Sequence, residues 1–172
     1  FDMMSSLVYA RLVQPCSKSK TFEEVIPKLF DSYDFSLNQL YDGLEYIGCE
    51  YEKIIEIYNH QIQQLYKFDT SHTYFDCTNF YFEIDKEDAF RRKGPSKENR
   101  KEPIVGLGLL LDANQIPIGM KLFPGSQSEK PVIRNIIQNL KQRNSVSGRT
   151  IQVADKGLNC AENIFHSLKN GD

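Results

Sequence analysis

The 172-residue chain lacks most of the signatures that mark the simpler functional classes. Its four cysteines (Cys16, Cys49, Cys77 and Cys160) lie far apart, with no C-x-x-C pair and no histidine nearby. That excludes the usual zinc motifs and a disulfide framework, and suits thiols kept reduced in a cytoplasm. The histidines are three, and neither His72 nor His166 has metal-ligand spacing with any partner. His60 falls on a helical pattern and reads as a surface or boundary residue. No run approaches the ~18 apolar residues that a membrane span requires. The opening "FDMMSSLVYARLV" has too short an apolar stretch, and the wrong flanks, for a signal peptide. No internal repeat or low-complexity tract stands out.

What remains is a chain with 40% apolar residues, enough for a real core, in one ordinary domain or a domain with a smaller appendage. The net charge of −2 conceals an asymmetry. Residues 1–70 hold 6 Lys/Arg against 11 Asp/Glu, whereas residues 71–172 hold 15 against 12. Within the second part, Lys86 to Glu102 carries 7 basic and 4 acidic residues. Such a cluster fits a polyanion partner, and a solvated loop equally well.

Residues 1–70 read as helical. "TFEE" (Thr21 to Glu24) and "SLNQ" (Ser36 to Gln39) match the capping box, and Pro27 implies that the helix after Thr21 is kinked or starts late. From Glu50 to Phe68, the residues Ile54, Ile55, Tyr58, Ile62 and Leu65 recur at helical spacing. From residue 71 the pattern changes. Thr73–Phe82 predicts a first strand and Ile104–Leu111 a second, and Ile116–Phe123 predicts a third, joined to the second by the turn residues "DANQ". Pro131–Arg143 predicts a helix, Thr150–Ala154 a fourth strand and Ala161–Lys169 another helix. The order β-β-β-α-β-α, with a helix between the third and fourth strands, is compatible with the fourth lying parallel to the first. The expected class is α/β, a mixed sheet covered by helices, with an all-helical N-terminal region over 1–70 and the sheet domain over 71–172.

Two carboxylates have a distinctive setting. Asp76 lies inside the aromatic strand "TYFDCTNFYFEID", where a buried position would demand a partner or a cation. Asp155 directly follows the fourth strand, at the end where ligands of open α/β sheets usually sit. Should the first and fourth strands be neighbours, the two converge, and paired anions with oxygen donors point to a divalent metal. Each also has a plainer reading: Asp155 as a helix cap or turn residue, Asp76 as a buried Asp bonded to backbone amides.

Four blocks, in order, carry a family resemblance: "LVYARLVQPCSKSKT", "YFDCTNFYFE", "GPSKENRKEPIVGLGLLLDANQIPIGMKLFPGSQSE" and "IQVADKGL". Together they resemble DDE transposases of bacterial insertion sequences, of the broad insertion-sequence-four type. The resemblance implies an RNase H-like catalytic fold, with Asp76 and Asp155 as the first two acidic residues of the triad. The third, a Glu on a later helix, has no match before Asp172, and Glu162 is too close to Asp155 to serve; the chain is therefore expected to be a C-terminally truncated piece, inactive alone. The resemblance further implies Mg2+ (or Mn2+) held by Asp76 and Asp155, and two-metal cleavage and joining of double-stranded DNA at transposon ends and target. It also implies a homodimer in the active complex, and a bacterial, cytoplasmic, nucleoid-associated setting.

Other residues follow from the same blocks. The link from Glu83 to Pro103 is longer than most ordered loops. Within it the "SKENR" block makes Ser96, Lys97 and Arg100 candidates for phosphate contact, as is Lys156 beside Asp155; a flexible charged loop is the alternative. Thr78 shares the strand face of Asp76, and Asn79 points the other way. In "FPGSQSE", Gly125 would permit a sharp turn and Ser128 would cap the next helix. The N-terminal helices would serve DNA binding or dimerisation; their acidic balance weakens the DNA version, and packing against the catalytic domain or another subunit is the alternative. Two other functions compete: an RNase H-like nuclease without strand transfer, and an inactive DNA-binding remnant.

Overall fold

The computed structural model describes residues 2–29, 34–95, 101–142, 149, 151–158 and 160–169. The chain divides into two compact units, Phe1–Ile57 and Tyr58–Asp172.

The first unit holds α1 (Asp2–Val13), α2 (Lys18–Lys20) and α3 (Leu37–Cys49), and α4 (Tyr51–Leu65) begins in it. Its core gathers Ala10, Val25, Ile26 and Leu40. The "SLNQ" capping box forms in full: the Gln39 amide donates to Ser36 Oγ at 3.3 Å, and the Ser36 amide donates to Gln39 Oε1 at 2.7 Å. The "TFEE" box does not form. Ser17 caps the segment instead, accepting from the Lys20 amide at 3.4 Å, and the helix runs through Thr21 as a π turn (Thr21–Val25). Thr21 is buried, with its hydroxyl 3.2 Å from Cys16 Sγ, so it has no free helix end to cap. Pro27 closes the segment in a final 3-10 turn (Ile26–Lys28), where its missing amide is least costly.

In the second unit, β1 (His72–Tyr81), β2 (Ile104–Leu111), β3 (Pro117–Pro124) and β4 (Ile151–Ala154) form one mixed sheet in the order β3-β2-β1-β4. The central β2 pairs antiparallel with both β1 and β3, and β4 runs parallel to β1, as the helical crossover suggested. That crossover is α5 (Lys130–Gln142); α6 (Ala161–Lys169) follows β4. One face of the sheet is packed. Val132, Ile133, Ile136 and Ile137 form a stripe on α5 that meets Phe75, Cys77, Leu110, Ile118 and Phe123. Each such Val, Ile, Leu or Phe side chain contributes roughly 1.5–3 kcal/mol on burial. In α4 the residue that is buried is Asn59, which donates to the Ile118 carbonyl at 2.6 Å, while Tyr58 and Leu65 are exposed. Among the described residues, no helix is long and apolar enough to cross a membrane.

Candidate functional site

The alternation of β1 decides where Asp76 points. Thr73, Phe75 and Cys77 are buried, whereas Tyr74, Asp76, Thr78 and Phe80 are exposed. The expectation of a buried Asp76 is therefore corrected. Only one face of this aromatic strand is covered, and period-2 geometry puts Asp76 on the other. Of its aromatic neighbours only Phe75 enters the core; Tyr74, Phe80 and Tyr81 are 39%, 49% and 45% exposed. Asp76 Oδ1 accepts a hydrogen bond from the Cys77 amide at 2.8 Å.

Asp155 follows β4 directly and is also exposed. The parallel register pairs His72 with Ile151 and Phe75 with Ala154. Asp76 and Asp155 thus directly follow the last paired residues of two neighbouring strands, which lie ~4.8 Å apart. Both line a cavity of about 330 Å³ whose remaining walls are apolar, including Tyr74, Leu109, Leu111 and Val153. The chain turns sharply after Asp155 into a single 3-10 turn, Lys156–Leu158, in which the Leu158 amide donates to the Asp155 carbonyl at 2.9 Å. Asp155 therefore also begins a turn, as its plainer reading held. The carboxylates supply hard oxygen donors, open to water, of the kind that suits Mg2+ or Mn2+. Among the described residues no group of three or more His, Cys, Asp or Glu side chains could hold a metal ion.

Ser96, Lys97 and Arg100 lie outside the described residues, as does the side chain of Lys156. The portion of their loop that is described, 83–95, is anchored. Arg92 and Ile104 exchange backbone hydrogen bonds at 3.1 and 2.8 Å, and the Phe82 amide donates to the Pro103 carbonyl at 2.9 Å. Asp88 organises the turn by accepting from the Phe90 and Arg91 amides and from Arg91 Nε. These bonds, the Arg91 amide's first, pull its carboxyl down to about 2. The Arg91 guanidinium also lies 5.6 Å over the Phe82 ring.

Gly125 is required for a different reason from the one its turn suggests. A side chain there would overlap the carbonyl oxygens of Arg92 and Ile104, so it admits a close backbone approach of this loop. Ser128 Oγ accepts from the Lys130 amide at 3.4 Å, at the start of α5. Glu162 sits in the first turn of α6, exposed, and does not line the carboxylate cavity. Its own amide, then Cys160, and the charges of Arg134 and Lys130 hold its carboxyl below the usual range.

Sequence reasoning missed a buried carboxylate of this unit. Asp112, in the β2–β3 turn, has 0% exposure and accepts hydrogen bonds from three backbone amides. The signal was an Asp placed directly after the apolar run "LGLLL", where a turn side chain folds back on its own backbone.

No protein-family model matches the chain, and no curated protein matches it. Among solved structures, the chain is similar to the Mos1 transposase paired-end complex with left transposon end, at 13% sequence identity and a TM-score of 0.40. The match covers 100% of this chain, which spans 57% of the length of that one. At so low a score nothing is carried over from that protein to this chain.

Proposed function

We propose that this chain carries two of the three acidic ligands of a DDE transposase with an RNase H-like catalytic domain. The carrying observation is the parallel β1–β4 register, which sets Asp76 beside Asp155 in one cavity. The four ordered sequence blocks support the same reading.

In this function Asp76 and Asp155 jointly hold Mg2+ or Mn2+, which supplies charge stabilisation for in-line displacement at a DNA phosphate. Their exposure leaves room for water and phosphate, and the Cys77 amide orients Asp76. Ser96, Lys97, Arg100 and Lys156 position the phosphate backbone of double-stranded DNA. The full protein cuts transposon ends and joins them to target DNA as a homodimer, with a third carboxylate from a residue other than Glu162. The helical region 1–70 serves assembly rather than phosphate contact, given its acidic balance.

The test begins with Mn2+ titration followed by electron paramagnetic resonance. Saturable binding by this chain is expected, weakened by ~tenfold or more in Asp76→Asn and in Asp155→Asn, since affinity follows ligand charge count. In the complete protein, Asp76→Asn should abolish cleavage while leaving DNA binding intact. Cleavage that survives would return Asp76 to a structural role. Cleavage without 3′-end joining would identify a nuclease, and DNA binding with neither activity an inactive remnant.

A further inference from the structure

Asp112 is fully buried, and nothing in the proposed chemistry uses it. A carboxylate in the interior is costly unless its oxygens are satisfied. Here Oδ1 accepts from the Asn114 and Ile116 amides at 3.0 and 2.8 Å, closing the β2–β3 turn around Gln115, whose φ is 65°. The other oxygen reaches out of the turn. Oδ2 accepts from the Asp69 amide at 3.1 Å, and the Asp69 carbonyl accepts from the Ala113 amide at 2.9 Å. The hairpin tip and the segment leading into β1 are thereby clasped in both directions.

The connection continues toward the site. Asp69 Oδ1 accepts from the Ser71 amide at 3.0 Å. The Ser71 carbonyl in turn accepts from the amide of Ile151, the first residue of β4, at 2.9 Å. Because β4 has four residues and lies at the sheet edge, few ladder bonds hold its register. Register matters here: a one-residue slip turns a side chain to the opposite face, and a two-residue slip moves it ~6.6 Å along the strand. Either would separate Asp155 from Asp76.

We propose that Asp112 is a positioning residue whose buried carboxylate, acting through Asp69 and Ser71, sets β4 in register and places Asp155 beside Asp76. The functional consequence rests on the reading of these two aspartates as metal ligands, but the geometric one does not.

The variant is Asp112→Asn, which keeps the shape and turns one oxygen into a donor facing the Asp69 amide. Amide exchange by NMR should show Ile151 exchanging about tenfold faster, equal to the loss of one net hydrogen bond, while the β1–β2 amides keep their relative protection. Mn2+ affinity should fall in parallel, by about tenfold. Unchanged Ile151 exchange in the folded variant overturns the proposal, and so does uniform acceleration of all amides. Faster exchange with unchanged Mn2+ affinity also overturns it. If the parent protein binds no Mn2+, the metal reading fails on its own. Placement is then read from disulfide formation in an Asp76→Cys/Asp155→Cys pair, expected in the parent background and lost with Asp112→Asn; a disulfide that persists refutes it. Should Asp112→Asn not fold, Asp69→Ala removes an exposed link of the same chain. It should accelerate Ile151 exchange about threefold, and no acceleration overturns the proposal.

Discussion

Gly108→Ala would test the packing beneath the carboxylates. Gly108 lies in β2 opposite Cys77, over the buried ring of Phe75, the residue before Asp76. A methyl group there would sit 2.8 Å from Phe75 Cζ, 3.1 Å from its Cε2 and 3.1 Å from Val132 Cγ1. Two effects oppose each other. Replacing glycine within a strand recovers roughly 0.5–1 kcal/mol of backbone entropy. Forcing an extra methyl into a filled core costs typically ~1–3 kcal/mol. Phe75 cannot swing clear, because its ring is only 3% exposed and packs into the same cluster as Val132. Overpacking should prevail by ~1–2 kcal/mol, a fall in Tm of roughly 4–10 °C for a domain of this size. Thermal denaturation followed by circular dichroism measures it. Phe75→Leu should relieve the overlap, so the double variant should be more stable than the sum of the single effects by about 1 kcal/mol. A Gly108→Ala protein that melts at or above the parent temperature would refute the argument.

Hydrogen bonds from the Arg91 and Phe90 amides hold the Asp88 carboxyl at about 2 in the folded chain, below its ordinary value of 3.8. A depressed carboxylate stabilises the fold above its unfolded value and loses that contribution as pH falls toward the folded one. The 83–95 loop should therefore keep its protected Phe90 and Arg91 amides at pH 5 and lose them between about pH 4 and 2. Asp88→Ala should expose the same loop to proteolysis at neutral pH; equal resistance would remove Asp88 as its organiser. In the first unit, Ser36→Ala should cost about 1 kcal/mol through the lost cap of α3, measured by urea denaturation. Thr21→Val should cost less than a lost cap, since no helix end depends on Thr21; a loss as large as that of Ser36→Ala would contradict it.

The sheet was legible because its signals are periodic and local. The continuous apolar run of Ile104–Leu111 marks a strand packed on its inner face and half-covered on the other, and the stripe of Val132, Ile133, Ile136 and Ile137 marks a helix lying on it. The neighbourhood of Asp76 and Asp155 was legible only conditionally, because the crossover helix allowed the fourth strand to lie beside the first without requiring it. The exposure of Asp76 was not legible, since aromatic density shows that a strand is apolar but not which of its faces is covered. Gly125 and Asp112 were opaque for another reason. Their roles depend on segments distant in sequence, the 90–94 loop for one and Asp69 for the other. Thr21 failed through competition, because Ser17 offers an equivalent hydroxyl one turn earlier.

The parallel pairing of β1 with β4 also bears on the order of assembly. The β1, β2 and β3 strands meet through links of about 22 and 5 residues, whereas Asp76 and Asp155 are separated by about 80. Closing the longer span costs more entropy and gains only a four-residue ladder. The two carboxylates should therefore meet late in folding, after the antiparallel sheet and α5 have collapsed onto each other. By the same balance they should part early, in a local opening that leaves most of the sheet intact. The proposed capacity to hold a cation would then be the last property this domain gains and the first it gives up.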